Sequence, residues 1–441
     1  MAVEVAPGTW SEEFSEGRRF KAAMALFMLW SLTLLLHRLV WGSALIWLVT
    51  AAVAAYLFRV TVARPLTGKT AVIDRAAELE TWPQVSLLVA AKNEVAVIAR
   101  LVETLCNLDY PGDRYELWII DDNSSDGTGA LLDRLAQRYD RLNVLHRGPD
   151  ASGGKSGALN LAWPRTTGEI LAVFDADAQV PKDLLYRAIP LFQEPRTGAV
   201  QVRKAITNHG ANFWTRGQHR EMALDSYYQE QRIACGGIGE LRGNGQLVRR
   251  QAIAQCGGWN ELTITDDLDL TVQLHLHQWN IGFLSVPHVG EEGVTSGLAL
   301  WHQRNRWAEG GYQRYLDYWR LIGANRLGWN KSADMLVYWI LQYMLPIVTL
   351  PDLVLAIATR QPPVFAPLTT LAIASSYWGM ACGISRTKQV SLLAGLIQAV
   401  QGTVYMTHWI PIMTFATLRM AVRPKRLRWV KTVHEGEAAS T

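Results

Sequence analysis

The stretch Ile170-Leu171-Ala172-Val173-Phe174-Asp175-Ala176-Asp177 decides how this chain of 441 residues is read. A short run of aliphatic and aromatic residues predicts a buried strand. It runs straight into two aspartates at i and i+2. Carboxylates so placed at a strand end can reach one hard cation between them, and Mg²⁺ or Mn²⁺ commonly takes one or two carboxylates plus diphosphate oxygens. A D-x-D triplet alone occurs often by chance. Its weight here comes from its place, directly after the strand and downstream of a second acidic strand end.

Upstream, a first strand ends in Ala91-Lys92-Asn93-Glu94 and a second in Asp121-Asp122-Asn123-Ser124-Ser125-Asp126-Gly127-Thr128. From about residue 85 to 307, short apolar runs alternate with helical stretches, the pattern of a mostly parallel sheet covered by helices. The predicted strands are 85–89, 117–120, 142–145, 170–174, 199–202 and 281–286. In such open α/β sheets nucleotides bind at the carboxyl ends of the strands. Asp121 or Asp122 can accept from a base N–H there, whereas Asn123 to Asp126 also read as a turn and helix cap. Gly153-Gly154-Lys155-Ser156 resembles a phosphate loop, but Pro149 stands where the first glycine of G-x-x-x-x-G-K-S belongs. Glycines and a lysine at a helix start still suit a diphosphate, through backbone N–H groups and one point charge.

Downstream, Thr265-Asp266-Asp267-Leu268-Asp269 reads as an acidic helix start. Such starts are common for electrostatic reasons alone. Beside a donor site, a carboxylate here can instead deprotonate an acceptor hydroxyl. Trp301-His302-Gln303-Arg304-Asn305-Arg306-Trp307 then gathers cationic, amide and indole groups within two helical turns. Arg306 can stabilise charge developing on a departing diphosphate, and Trp307 offers an aromatic wall. Read alone, the segment also suits a membrane anchor.

The hydrophobic fraction is 49% and the charged fraction 19%, and the apolar residues concentrate at the two ends. Ala22 to Phe58 is nearly continuous, broken by His37 and Arg38, and fits two spans with a tight turn best, with one long tilted helix or an interfacial first half as the alternatives. Arg18, Arg19 and Lys21 before it and Arg59, Arg64 and Lys69 after it put both flanks in the cytoplasm. Tyr312 to Leu321 reads as an interfacial amphipathic helix or an ordinary packed one. Further apolar segments cover 335–358, 364–382 and 390–418, before a tail carrying Arg419, Arg423, Lys425, Arg426, Arg428 and Lys431. Three full crossings would leave that tail outside, against the charge rule, so one segment is interfacial, re-entrant or doubled back. The last, with Gln398, Gln401, Gly402, His408 and Pro411, is the candidate. The expected order is a cytosolic segment 1–20, a transmembrane hairpin 21–59, a catalytic domain 80–310, an interfacial helix 311–330, a membrane region 334–418 and a basic tail 419–441. Four scattered cysteines suggest neither disulfides nor zinc, and a net charge of +4 with the cations beside apolar segments points to lipid head groups and away from nucleic acid.

Taken in order, Asp121-Asp122, Asp175-Ala176-Asp177, Thr265-Asp266-Asp267 and Gln303-Arg304-Asn305-Arg306-Trp307 resemble the D, D-x-D, T-E-D and Q-x-x-R-W signature of membrane-bound family-two glycosyltransferases, the group of the cellulose, chitin and hyaluronan synthases. The resemblance implies a GT-A fold, an α/β, Rossmann-like domain flanked by transmembrane helices. It also implies a UDP-sugar donor, Mg²⁺ (or Mn²⁺) and inversion. Position by position, Asp121 and Asp122 would meet the nucleotide base, with Asn93, Glu94 and Lys155 in the same nucleotide-sugar site. Asp175 and Asp177 would meet the metal and diphosphate, Asp267 would be the general base, and Gln303, Arg306 and Trp307 would line the acceptor and diphosphate end. Asp266 departs from the family's glutamate, and Val294 replaces the proline of E-x-x-P after Glu291, so that segment receives no catalytic part.

The stretch from Gln303 to Tyr315 is also similar to cyanobacterial β-monoglucosyldiacylglycerol synthases. That similarity implies glucose transfer from UDP-glucose to 1,2-diacylglycerol at a bilayer, by a multi-pass protein of a bacterial inner or thylakoid membrane with its catalytic domain in the cytosol. A processive β-glycan synthase is the alternative, and a membrane receptor that only binds nucleotide sugars is a third.

Overall fold

The structure is a computed structural model that describes residues 17–65 and 81–423. Lys69 and the tail cations Lys425, Arg426, Arg428 and Lys431, used above for topology, lie outside the described residues.

Two helices, α1 (Arg18–Arg38) and α2 (Gly42–Val62), come first among the described residues. Gly42 permits the turn, since a Cβ there would fall on the Leu36 backbone. Next come β1 (Val85–Ala91), α3 (Ile98–Cys106), β2 (Tyr115–Asp121), α4 (Thr128–Ala136), β3 (Leu142–His146), α5 (Gly154–Ala162), β4 (Ile170–Phe174), α6 (Leu184–Ala188) and β5 (Thr197–Ile206). The domain continues with α7 (Phe213–Ala234), β6 (Gln246–Arg249), α8 (Arg250–Cys256), α9 (Asp266–Leu276) and β7 (Asn280–Glu291). The long α10 (Gly297–Gly323) leads into α11 (Trp329–Thr359), α12 (Ala366–Lys388), α13 (Leu392–Met406) and α14 (Trp409–Val422).

The seven strands lie in the order β3-β2-β1-β4-β6-β5-β7. β1, β2, β3 and β4 are parallel, β6 is antiparallel to both β4 and β5, and β7 is parallel to β5. All six predicted strands are present. The strand missing from the sequence reading is β6, four residues long with polar ends, too short for a visible alternation. Apolar clusters fill both faces of the sheet, one under α3, α4 and α6 and the other under α5, α8 and α9. β1 and β4 are buried along their whole length, as strands covered on both sides must be. The fold is therefore a mostly parallel mixed α/β sheet of GT-A type.

Among the described residues, three helices are long and apolar enough to cross a membrane: α1, α2 and α11. The segment 390–418 is two helices, of 15 and 14 residues, broken at Thr407 and His408. At 1.5 Å per residue neither reaches the roughly 30 Å of a hydrocarbon core. Tyr312 to Leu321, read as an interfacial helix, is the second half of α10, and residues 308–318 are buried. Its tyrosines, Arg314 and Asp317 face protein, while Trp319 and Arg320 are exposed. Arg18 likewise is not a free flanking cation: it is buried, and its Nε donates to Asp317 Oδ1 at 2.7 Å.

Buried ion pairs fasten the sheet layer to the helices packed against it. Asp334 of α11 accepts from Arg232 Nε of α7 at 2.9 Å and from Tyr56 Oη of α2 at 2.5 Å. Glu240 receives Arg314 of α10 at 2.7 Å and Arg242 at 2.7 Å. Removing one partner of such a pair strands a buried charge, at a cost of about 3–5 kcal/mol.

Candidate active site

The strands deliver their carboxyl ends to one edge, where a cavity of about 1180 Å³ opens. Asp122, just past β2, lies on its wall with Lys92 and Glu94 from the end of β1. Asp121 belongs to the pleat before it and turns the other way. Its Oδ2 meets His146 Nδ1 at 3.1 Å and its Oδ1 accepts from the Ser124 N–H at 3.2 Å. The two aspartates expected to share a base-binding role are thus divided: Asp122 faces the cavity and Asp121 braces β3 and the following turn. Asn93 is also away from the wall, where its Oδ1 accepts from the Ser125 N–H at 2.7 Å and ties the two strand ends together.

Asp122 is held by Arg147, whose Nη1 donates to it at 2.6 Å and to the Gly154 carbonyl at 2.9 Å. One guanidinium therefore fixes the Asp122 carboxylate against the glycine loop that opens α5. Gly153 there adopts φ 80°, the left-handed region that glycine tolerates best, and a Cβ would press on Glu261. Lys155, one residue inside α5, forms an ion pair with Asp175. Burial opposes its charge, but Asp175, Asp266 and Asp267 outweigh it and hold the ammonium above the ordinary lysine value. Burial likewise opposes the Asp175 carboxylate, which Lys155, Lys204 and Arg306 keep below its usual range.

Asp175, Asp177, Asp266, Asp267, Gln303, Arg306 and Trp307 all line the same cavity, so the motifs distant in sequence converge. Asp266 and Asp267 begin α9 in its electropositive first turn. Burial first and the neighbouring Asp266 second push Asp267 up to about 6, against the Leu268 N–H, Lys155 and Lys204. Burial also raises Asp266, whose Oδ2 is enclosed without a hydrogen-bond partner. Arg306 is depressed by burial, while Asp175, Asp267 and Asp266 pull the other way. Near neutral pH the floor thus holds an ionised aspartate with a raised proton affinity beside fixed cations.

Trp307 is clamped between two cations. The Arg304 guanidinium carbon lies 4.0 Å from the ring centroid and Lys204 Nζ lies 5.4 Å from it. Arg304 is buried and paired with Glu221 at 2.5 Å, and Trp409 Nε1 donates to the same carboxylate at 2.8 Å. Gln303 receives Arg304 Nη1 at 3.0 Å. Lys204 is itself paired with Glu291 at 3.1 Å. Sequence reasoning missed Arg147, Lys204, Glu221 and Glu291. Lone charged residues on separate elements leave no local pattern, although Glu291 stood at a family position and was set aside because the following proline is absent.

No group of three or more histidine, cysteine or acidic side chains able to hold a metal occurs among the described residues. Asp175 and Asp177 supply hard oxygen donors only, and one is already matched to a lysine. Such a set fits a cation that takes most of its ligands from a bound diphosphate and not from a protein cage.

Away from this floor the cavity continues between the C-terminal helices. Its wall there carries Leu345 and Pro346 of α11, Ile373 of α12, Met406 of α13 and Ile410 and Met413 around α14. A π turn at Ile340–Met344 within α11 brings Gln342 and Tyr343 onto the wall. Such turns are often found at functional sites.

The family described as glycosyl transferase family 2 matches residues 86–257. A β-monoglucosyldiacylglycerol synthase of Synechocystis sp. is 56% identical over 427 residues, 95% of this chain and 89% of that protein. Another of that name, from Trichormus variabilis, is 54% identical over 428 residues, 96% of this chain and 90% of that protein. Among solved structures, a mannosyltransferase of Pyrobaculum calidifontis, described in complex with GDP-Man and Mn²⁺, has 18% identity and a TM-score of 0.50, over 89% of this chain and 99% of that one.

Proposed function

The chain belongs to glycosyl transferase family 2, and from that premise we propose that it is an inverting glucosyltransferase moving glucose from UDP-glucose to 1,2-diacylglycerol. The observation that carries the acceptor is the cavity running from the acidic and cationic floor to a limb among α11, α12, α13 and α14, where Leu345, Pro346, Ile373, Met406, Ile410 and Met413 are interspersed with hydroxyls such as Thr349, Thr369 and Thr403. A hydroxyl on two acyl chains suits such a space, with its polar end at the floor and its chains along the apolar side chains of that limb. The names of the relatives, similar over nearly the full chain, support the same reading.

In this mechanism Asp122 and Lys92 meet the nucleoside, and Lys155 and Arg306 meet the diphosphate. Asp175 and Asp177 would hold Mg²⁺ or Mn²⁺, which when bound offsets the charge of the departing diphosphate. Asp267 takes the proton from the acceptor hydroxyl as its oxygen bonds to C1 of glucose and the bond from C1 to the diphosphate oxygen breaks. Attack opposite the leaving group inverts the anomeric carbon. Arg306 stays as a fixed cation where negative charge develops, so little reorganisation is needed. Trp307, held flat by Arg304 and Lys204, walls the acceptor side. The three candidate membrane helices support a membrane-associated enzyme working beside the bilayer that supplies its acceptor.

The test is a product assay on the full chain in lipid, with radiolabelled UDP-glucose, Mg²⁺ and diacylglycerol. One organic-soluble monoglucosyl lipid is the expected product. Label in insoluble polymer would replace this reading by a β-glycan synthase, and binding of UDP-glucose without any transfer would replace it by a receptor.

A further inference from the structure

Outside the catalytic cavity, α7 carries Arg216, His219 and Arg220 at i, i+3 and i+4, the spacing that places side chains on one helix face. α7 packs against both α12 and α13. Arg220 lies along α13, since a Cβ on Gly402 would come 3.1 Å from its Cδ. Lys388, in the last turn of α12, reaches Gln398 of α13 with Nζ at 3.4 Å. Arg216 Nη1 has only a long contact of 3.5 Å to the Gly210 carbonyl.

These cations have no carboxylate partner among the described residues. Nη1 of Arg220 is buried without a hydrogen bond, as are both ring nitrogens of His219. Nearby cations are neutralised: Arg386 pairs with Glu230 at 3.1 Å, and Arg304 with Glu221 at 2.5 Å. An uncompensated buried guanidinium edge is costly and calls for an anion. The surface beside it indicates which kind. Leu393, Ile397, Val400 and Val404 form a stripe at i, i+4, i+7 and i+11 on α13 and are 68%, 68%, 56% and 59% exposed. A 15-residue helix with such a stripe is too short to cross and suits the interfacial layer, its apolar face among acyl chains. Gln398 and Gly402, which touch the cations, lie on the flank of the same helix.

We propose that Arg216, Arg220 and Lys388 bind the phosphate of an anionic phospholipid whose acyl chains lie along the α13 stripe, a lipid site separate from the acceptor cavity. His219, whose two ring nitrogens have no other hydrogen-bond partner among the described residues, adds a ring N–H. The site anchors the short α13, and with it Met406 on the cavity wall, to a negatively charged leaflet.

The experiment is native mass spectrometry of the full chain in detergent, with equimolar phosphatidylglycerol and phosphatidylcholine of identical chains. The wild type should retain phosphatidylglycerol preferentially. Arg216→Gln/Lys388→Gln, both at exposed positions, should lower that preference roughly 25-fold, at about fivefold per cation near an anionic surface. Arg220→Gln should lower it further, and Arg138→Gln, on the far side of the sheet, should not change it. Equal retention of both lipids by the wild type, or an unchanged preference in the double variant, would overturn the proposal. Displacement of the lipid by millimolar inorganic phosphate would also overturn it, by making this a free-phosphate site. The glucosyl transfer reading does not enter this readout, so the two fail separately.

Discussion

Gly310→Ala should leave the enzyme folded and able to bind donor while slowing transfer strongly. Gly310 sits in the buried middle of α10, and a Cβ there would lie 2.5 Å from Thr265 Oγ1 and 2.9 Å from Thr265 Cβ. Ordinary contact begins at about 3.4 Å, so close to 1 Å must be recovered, and α10 is enclosed and has little room to move. The displacement therefore falls on Thr265, the residue directly before the helix that bears Asp266 and Asp267. Overpacking costs about 1–3 kcal/mol of stability, while a 1 Å misplacement of a catalytic group costs on the order of 10²-fold in rate. Asp122, Lys155 and Arg147 stand on other elements, so UDP affinity should change little. Initial rates at saturating substrate, UDP titration calorimetry and thermal unfolding separate these effects. Gly323→Ala is the control, because a Cβ there meets nothing within 4 Å. A kcat for Gly310→Ala within about twofold of wild type would refute the claim that α10 sets the position of the Asp267 turn.

Other outcomes follow from the same floor. Asp267→Asn should retain UDP binding and lose about 10²–10⁴-fold in kcat; unchanged turnover would remove Asp267 from the mechanism. Because burial and Asp266 raise Asp267 to about 6, activity should be full above that pH and fall as pH drops through it, whereas an ordinary aspartate would put the acid limb near pH 4. A limb near 4 in the kcat/KM profile would contradict the assignment. Asp177→Ala should weaken Mg²⁺-dependent UDP-glucose binding in calorimetry; normal metal dependence would argue against coordination there.

Much of this architecture can be read from residues alone, because apolar runs ending in Asn93-Glu94, Asp122 and Asp175 already state strand ends at one edge of a parallel sheet. The four motifs do converge. What local pattern does not reveal is partnership across the fold. Asp121 and Asp122 look equivalent in sequence, and only the pleat and His146 separate a brace from a wall residue. Arg147 and Lys204 read as ordinary surface cations until their carboxylates are located. Tyr312 to Leu321 has the composition of an interfacial helix, yet two of its charged groups are spent inside the protein, Arg314 on Glu240 and Asp317 on Arg18. The 390–418 segment, by contrast, shows its interruption in the sequence: Gln398, Gln401, Gly402, His408 and Pro411 mark it out, and the two helices part at Thr407 and His408.

The most direct test of the central claim is photo-crosslinking of the full chain with a diacylglycerol bearing a photoreactive group at one acyl end, in the presence of UDP and Mg²⁺. Lipid entry into the cavity that Asp267 floors predicts adducts on Ile373, Met406 or Met413, competed by unlabelled diacylglycerol. Adducts confined to the outward faces of α1 and α2, or insensitive to competition, would contradict it.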